Sequence, residues 1–198
     1  GQGGILDIAT HPNFTDNKLI YFTATVGSSE AFSTALFQAK FESNQLQAVK
    51  KLFQADIKNN MDRHFGSRIV FDKDGFVFVS FGERGDSNSA QDLSNHNGTI
   101  IRLTDTGEVP QDNPFVSNLS AKPEIWSYGH RNVQGLALHP ITGELWSHEH
   151  GPKGGDEINI IKKGANYGWP LATFGVDYDG SIISTDTTIS GAEDPVYY

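Results

Sequence analysis

His64 and Glu83 are a pair whose types and spacing suit acid–base work in this chain of 198 residues. His64 stands in His64-Phe65-Gly66-Ser67-Arg68-Ile69-Val70, just ahead of a strand-like run, with Gly66 giving the backbone freedom. An imidazole titrates near neutrality and can act as a general base. Taken by itself, His64 reads more plainly as a hydrogen-bonded structural histidine. Glu83, in Gly82-Glu83-Arg84-Gly85-Asp86 at the end of the next strand-like run, changes the balance. An antiparallel hairpin can bring the start of its first strand beside the end of its second. Glu83 would then orient His64 and stabilise its cation.

A second concentration of polar chemistry runs from Ser127 to Leu136 and from His148 to Glu157, between short strand-like runs. Cations, amides, imidazoles and carboxylates are costly to bury, so their crowding points to a polar ligand. Arg131 and Asn132 offer a fork of donors plus an amide, a set that suits a ligand bearing carboxylates or quinone oxygens. The plain alternative is a surface arginine and a turn asparagine. Flanking Trp126, Tyr128, Val133 and Leu136 weaken it. His148 and His150 share a strand face by the two-residue period, and with Glu149 they raise a zinc site. Zinc ranks below the plain reading there, because Gly151-Pro152 breaks the strand and no third ligand has zinc spacing. Calcium takes carbonyl and carboxylate oxygens, which a Gly-Pro turn can aim inward, with Asp156 and Glu157 adding charge. A solvated acidic pair is the alternative. Gly151 to Gly155 lacks the context of a phosphate loop, and no Gly-x-Ser-x-Gly elbow supplies a serine nucleophile.

The elements that must position these residues are β-strands. Helical periodicity is almost absent. Strand-like runs cover Leu19 to Val26, Ala35 to Phe41, Ile69 to Phe71, Phe76 to Phe81, Ile100 to Leu103, Glu124 to Trp126, Gly135 to Leu138, Glu144 to Trp146 and Ile158 to Ile161. Gly, Pro, Asn and Asp bound them, as turns require. A loose repeat recurs three times: a short apolar strand, a turn, then an aromatic-rich strand. It begins at Ile5 with the turn at His11-Pro12, at Arg68 with the turn at Asp72 to Gly75, and at Gly135 with the turn at His139 to Gly143. Antiparallel strand pairs recurring at such spacing predict a β-propeller, and at ~40–50 residues per blade the chain has room for roughly three to four. A β-sandwich is the rival fold, but its strands come at tighter and more even spacing. Two loops stand out: Asn59 to Arg63, leading to His64, and the Gly/Ser/Asn/Asp-rich stretch from Gly82 to Gly98, long enough to expect function. The polar stretch from Asp177 to Glu193 reads as a surface excursion.

Composition narrows the partners. A net charge of −9 argues against nucleic acid. The absence of cysteine excludes thiolate metal sites, a cysteine nucleophile and disulfides. No apolar run reaches the ~20 residues of a membrane span, and no signal peptide is visible. The chain opens at Gly1, and Asp194-Pro195-Val196-Tyr197 reads as the start of a further strand, so the expectation is a fragment or a processed chain.

The ordered motifs together resemble the soluble pyrroloquinoline-quinone-dependent glucose and aldose sugar dehydrogenases, nearest to the bacterial aldose sugar dehydrogenase branch. They are Gly1-Gln2-Gly3-Gly4-Ile5-Leu6-Asp7 with His11-Pro12, His64 to Arg68, Ala90-Gln91-Asp92-Leu93, Arg102-Leu103-Thr104, Asp112-Asn113-Pro114-Phe115, Glu124 to Asn132, Glu149-His150-Gly151-Pro152 with Gly155 to Asn159, and Asn166-Tyr167-Gly168-Trp169-Pro170. The resemblance implies an all-β, six-bladed propeller, of which residues 1–198 form a partial sugar-dehydrogenase domain. It implies export to the periplasm or secretion, pyrroloquinoline quinone and calcium as cofactors, and oxidation of an aldose at C1 to the lactone. An external electron acceptor follows, and a homodimer is one option.

By the same resemblance, His64 is the base that takes the C1 hydroxyl proton, and Glu83 is the carboxylate supporting it, a position that is sometimes Asp. Gln2 lies at the quinone and the sugar. Arg131 and Asn132 contact the quinone, with Arg131 stabilising charge that grows on it, and Tyr178 lies beside it. The carbonyls of Gly151 and Pro152 match ligands of a catalytic calcium. The Glu157 side chain and the Tyr167 carbonyl match a second, structural calcium. The later cofactor-binding Lys and Arg residues of the family are not in this chain, so the expectation is an active parent and an inactive isolated piece. Two rival functions accompany this reading: a propeller binding module of the hedgehog-interacting type, and a metal-dependent propeller lactonase.

Overall fold

The computed structural model describes residues 1–28, 30–56 and 60–198. The expected loop from Asn59 to Arg63 therefore begins at a residue outside the described set. Eleven strands form three antiparallel sheets among the described residues. The first sheet runs β1 (Ile5–Thr10), β2 (Leu19–Ser28), β3 (Ala31–Glu42), β4 (Gln45–Gln54), and the second β5 (Ile69–Phe71), β6 (Val77–Phe81), β7 (Thr99–Leu103), β8 (Ile125–Tyr128). In the third, β9 (Val133–Leu138), β10 (Leu145–Glu149) and β11 (Glu157–Ile161) are joined at the outer edge by Tyr197, which bridges Ile158. Each sheet is a meander in chain order, the construction of a propeller blade.

Strand β4 has no counterpart among the expected runs. Its sequence, Gln45-Leu46-Gln47-Ala48-Val49-Lys50-Lys51, mixes Gln, Lys and Ala and is largely exposed. Pairing with β3 makes it a strand, with register shifts that mark bulges between Leu36 and Phe37 and between Gln38 and Lys40. Lysines and bulges are how outer strands avoid pairing with other chains. A short helix, α1 (Phe14–Asn17), occupies the polar gap between β1 and β2.

Two hydrophobic cores lie between the sheets. Tyr21, Leu36, Val77, Val79, Phe81, Ile101 and Leu103 fill the first, and Phe78, Ile100, Leu145, Ile161 and Tyr167 the second. Alternate residues of β6 and β7 thus enter opposite cores, because successive side chains of a strand point to opposite faces. The middle sheet is covered on both sides, which explains the nearly unbroken apolar runs of these strands.

Of the three innermost strands, β5 contacts both β1 and β9, and their common direction follows from starts tied to starts by hydrogen bonds and from His11 packing on Phe71 at the far ends of β1 and β5. Near their starts, Asp7 of β1 accepts hydrogen bonds from Arg68 Nη1 at 2.9 Å and from the Ile69 backbone at 2.8 Å, while Arg68 Nε donates to the Gln134 carbonyl of β9 at 3.0 Å. At their far ends the repeat seen in sequence is a repeat in hydrogen bonding. The backbone N–H groups of His11, Asp72 and His139 donate across the turn to Leu19, Phe76 and Glu144 at 3.0, 2.9 and 2.8 Å. The same three side chains accept an N–H inside the turn, from Asn13, Asp74 and Thr142. His11 and His139 are therefore turn caps.

Candidate active site

Because the inner strands run in parallel, everything just ahead of them converges on one end of the assembly: Gln2 before β1, His64 before β5, Arg131 and Asn132 before β9. The β5–β6 hairpin pairs Ile69 with Val79, and the same pairing continued outward brings His64 beside the turn that follows β6. There His64 Nδ1 and Glu83 Oε1 form a hydrogen bond. The Glu83 side chain is 3% exposed and that of His64 12%. Two glycines permit this approach. A Cβ on Gly82 would collide with the His64 carbonyl, and Gly66, at φ +61°, would place one against the Gly82 backbone. His64, Ser67 and Arg84 all have positive φ, at 54°, 89° and 61°. Such backbone costs ~1–3 kcal/mol per residue and gathers at functional sites.

Arg131 is held from both ends by the end of β10. Its backbone N–H donates to Glu149 Oε2 at 2.7 Å, and its guanidinium Nη1 donates to the carbonyls of Gly151 at 2.6 Å and His150 at 3.1 Å. The Trp169 ring lies 5.4 Å from the guanidinium carbon. The Arg131 carbonyl in turn accepts the Glu83 N–H at 2.9 Å, tying the histidine–carboxylate pair to the arginine. Behind Arg131, buried His130 bridges Ser127 Oγ and Glu149 Oε1, each at 2.9 Å, and stacks on Tyr167 with ring centres 4.6 Å apart.

The expected site residues divide among distinct places. His64, Glu83, Arg131, Pro152 and Tyr178 line one cleft of about 180 Å³ together with Arg63 and Trp169. Gln2 and Asn132 line an adjoining cavity of about 170 Å³. The two share a wall: Gln2 Oε1 accepts the His64 N–H at 2.7 Å, and Asn132 Oδ1 accepts the Gly66 N–H at 3.2 Å. Glu157 borders a separate groove with His148 and His150. Tyr167 is buried in the core between the second and third sheets. Gly151 is buried, with its carbonyl engaged by Arg131. Of the long loop from Gly82 to Gly98, only its head reaches the cleft; Asn95, His96 and Asn97 are buried. The excursion after Asp177 is largely exposed, yet Asp177, Tyr178 and Ile183 form a rim of the cleft.

Sequence reasoning assigned no role to Arg63, Arg84, His130, Trp169 or Asp177, and weighed Glu149 only as a zinc partner of His148 and His150. Glu149 gives a clear signal only in hindsight: it alternates with exposed His148 and His150 on the opposite, buried face of β10.

Residues 1–198 match the family described as Glucose / Sorbosone dehydrogenase. The chain belongs to this family. Among its relatives, the Aldose sugar dehydrogenase YliI of Escherichia coli (strain K12) is 44% identical, covering 100% of this chain and 55% of the relative. Quinoprotein glucose dehydrogenase B of Acinetobacter calcoaceticus is 32% identical over 86% of this chain and 40% of its own length. The PQQ-bound form of Aldose Sugar Dehydrogenase from Streptomyces coelicolor superposes with a TM-score of 0.81 at 33% identity, covering 99% of this chain and 53% of that structure. The family's fold is the β-propeller, and the three sheets are blades of it. The chain spans about half the length of the relatives it matches.

A quinone bearing carboxylates needs fixed cationic donors beside an aromatic face; Arg131 and Trp169 form such a set in the cleft, while Asn132 lies across the shared wall in the adjoining cavity. The Gly151 oxygen already accepts a guanidinium N–H from Arg131, so a cation there would take the carbonyl's second lone pair beside a positive charge. Glu157 fits one better. Burial, and then the Glu149 carboxylate, push its carboxyl up to about 8, and the neighbouring Asn159 Oδ1 and Ser147 Oγ are buried without a partner. Oxygen donors in that condition suit calcium.

Proposed function

We propose that this chain carries the base and one wall of the cofactor cleft of a pyrroloquinoline-quinone-dependent aldose dehydrogenase, which oxidises C1 of a sugar to the lactone. The observation that carries the proposal is the His64–Glu83 hydrogen bond in a cleft shared with Arg131. With Nδ1 engaged by the carboxylate, His64 presents Nε2 as the proton acceptor. The C1 hydroxyl proton passes to Nε2, and Glu83 stabilises the imidazolium that results. When bound, pyrroloquinoline quinone supplies the two-electron acceptor for the C1 hydride. Arg131 and Asn132 would hold it, the guanidinium offering charge-assisted donors where negative charge accumulates. Trp169 would wall the cleft, and Tyr178 would cover it from the rim. Glu157 and the Tyr167 carbonyl would hold a structural calcium away from the chemistry.

The test is His64→Ala in the full-length protein. Quinone binding, read from its visible absorbance, is expected to persist while dye-linked sugar oxidation is abolished. Equal loss of both would make His64 a structural residue.

A further inference from the structure

We propose that Arg84 is a positioning residue that sets His64 against Glu83 by gripping the main chain before the base and the aromatic ring after it. The proposal rests on reading His64 as that base. Arg84 is 6% exposed. Its guanidinium donates from Nε to the Arg63 carbonyl at 2.9 Å, from Nη2 to the Met61 carbonyl, and from Nη1 to the Phe32 carbonyl at 3.1 Å. It also lies over the Phe65 ring, 3.8 Å from its centre. Residues 63 and 65 flank His64, so one planar group fixes the peptide before the base and the ring after it. Phe32 belongs to β3, so the same fork anchors this segment to the first sheet.

Arg84 directly follows Glu83, and the Glu83 backbone is bonded to Arg131. Carboxylate and clamp therefore share one short turn, and that turn is tied to the cofactor-side arginine. Both His64 and Arg84 sit in left-handed backbone, which persists only where its surroundings over-determine it. The clamp supplies that constraint. Burial lowers the Arg84 guanidinium to about 10, with Glu83 and Asp62 acting in the opposite direction, so it stays protonated near neutrality. A lysine cannot replace it, because one ammonium cannot meet three carbonyls from a fixed plane. The charged and titratable groups around His64 in the cleft are Glu83, Arg63, Arg131, Asp177 and Tyr178.

The experiment uses Arg84→Lys and Arg84→Met in the full-length protein, with two readouts. Proton NMR of the quinone-free protein reports the His64–Glu83 bond as a low-field imidazole proton, assigned by its loss in His64→Ala. It is expected to vanish in Arg84→Met and to weaken in Arg84→Lys. Turnover per quinone-loaded site is then expected to fall by about tenfold or more while sugar KM stays within about threefold, since misplacing a base harms the reacting geometry more than binding. A substitution that only destabilised the fold would lower the loaded fraction and leave turnover per loaded site intact. A folded Arg84→Lys protein with the low-field proton and full turnover would overturn the proposal, including in the case where Arg84→Met fails to fold. Loss of the proton with undiminished turnover would uphold the clamp and remove His64 as the base.

Discussion

Glu157 carries a charge that this fold disfavours. Its carboxyl is pushed up to about 8 from an ordinary 4.5, by burial and then by Glu149. Below the ordinary value both folded and unfolded chains hold the proton. Between about 5 and 8 only the folded chain does, so stability falls as pH rises through that window and levels off above it. Thermal unfolding of full-length protein without calcium should show this decline, and Glu157→Gln should flatten it. If calcium occupies the site, it must displace the proton, so its affinity should climb up to about pH 8. A calcium affinity independent of pH would remove Glu157 as a ligand. At this scale the sequence was informative about types and less so about contacts. The His64–Glu83 pair was legible, because a short hairpin leaves few places for its two ends. The grip of Arg131 on Gly151 was not, since it depends on how β10 ends against the loop before β9.

Strands hold these residues in place, and the tie among β1, β5 and β9 sets their mutual register. Asp7 accepts from Arg68 and from the Ile69 backbone, and its side chain is 13% exposed. Asp7→Ala leaves a buried N–H unpaired and frees Arg68, an expected cost of about 1–3 kcal/mol. In differential scanning calorimetry that is a drop of about 2–4 °C per kcal/mol for a domain of this size. An unchanged midpoint would mean the tie adds nothing. Most strands were visible in sequence, as β-branched and aromatic runs between turn residues. Strand β4 was not, because its Gln, Lys and Ala residues face solvent and only its partner β3 dictates its conformation. The turn repeat was legible as His11-Pro12, Asp72 and His139-Pro140, but that all three side chains cap their turns needed coordinates.

The chain carries a net charge of −9, and its cleft is lined by two arginines, a histidine and two carboxylates. Among the described residues, no helix is long and apolar enough to cross a membrane. The three functional readings separate cleanly at this scale. Adding pyrroloquinoline quinone with calcium to full-length protein is expected to shift its visible absorbance, and dye reduction is expected to need both quinone and sugar. An unchanged spectrum would favour a binding module. Lactone hydrolysis without any electron acceptor would favour a lactonase. The propeller was legible because its repeat recurs, whereas the division of the site residues between two cavities depends on side-chain packing.

The shared direction of β1, β5 and β9 gives the molecule a working end and a blank one. The turns at Asn13, Asp74 and Thr142 all lie at the blank end. The chain has no cysteine, so Asp74→Cys would create a single thiol there, on an exposed residue whose backbone bond to Asp72 does not use its side chain. Coupled through that sulfur to a gold electrode, the chain would stand with its cleft turned away from the metal and toward the bulk.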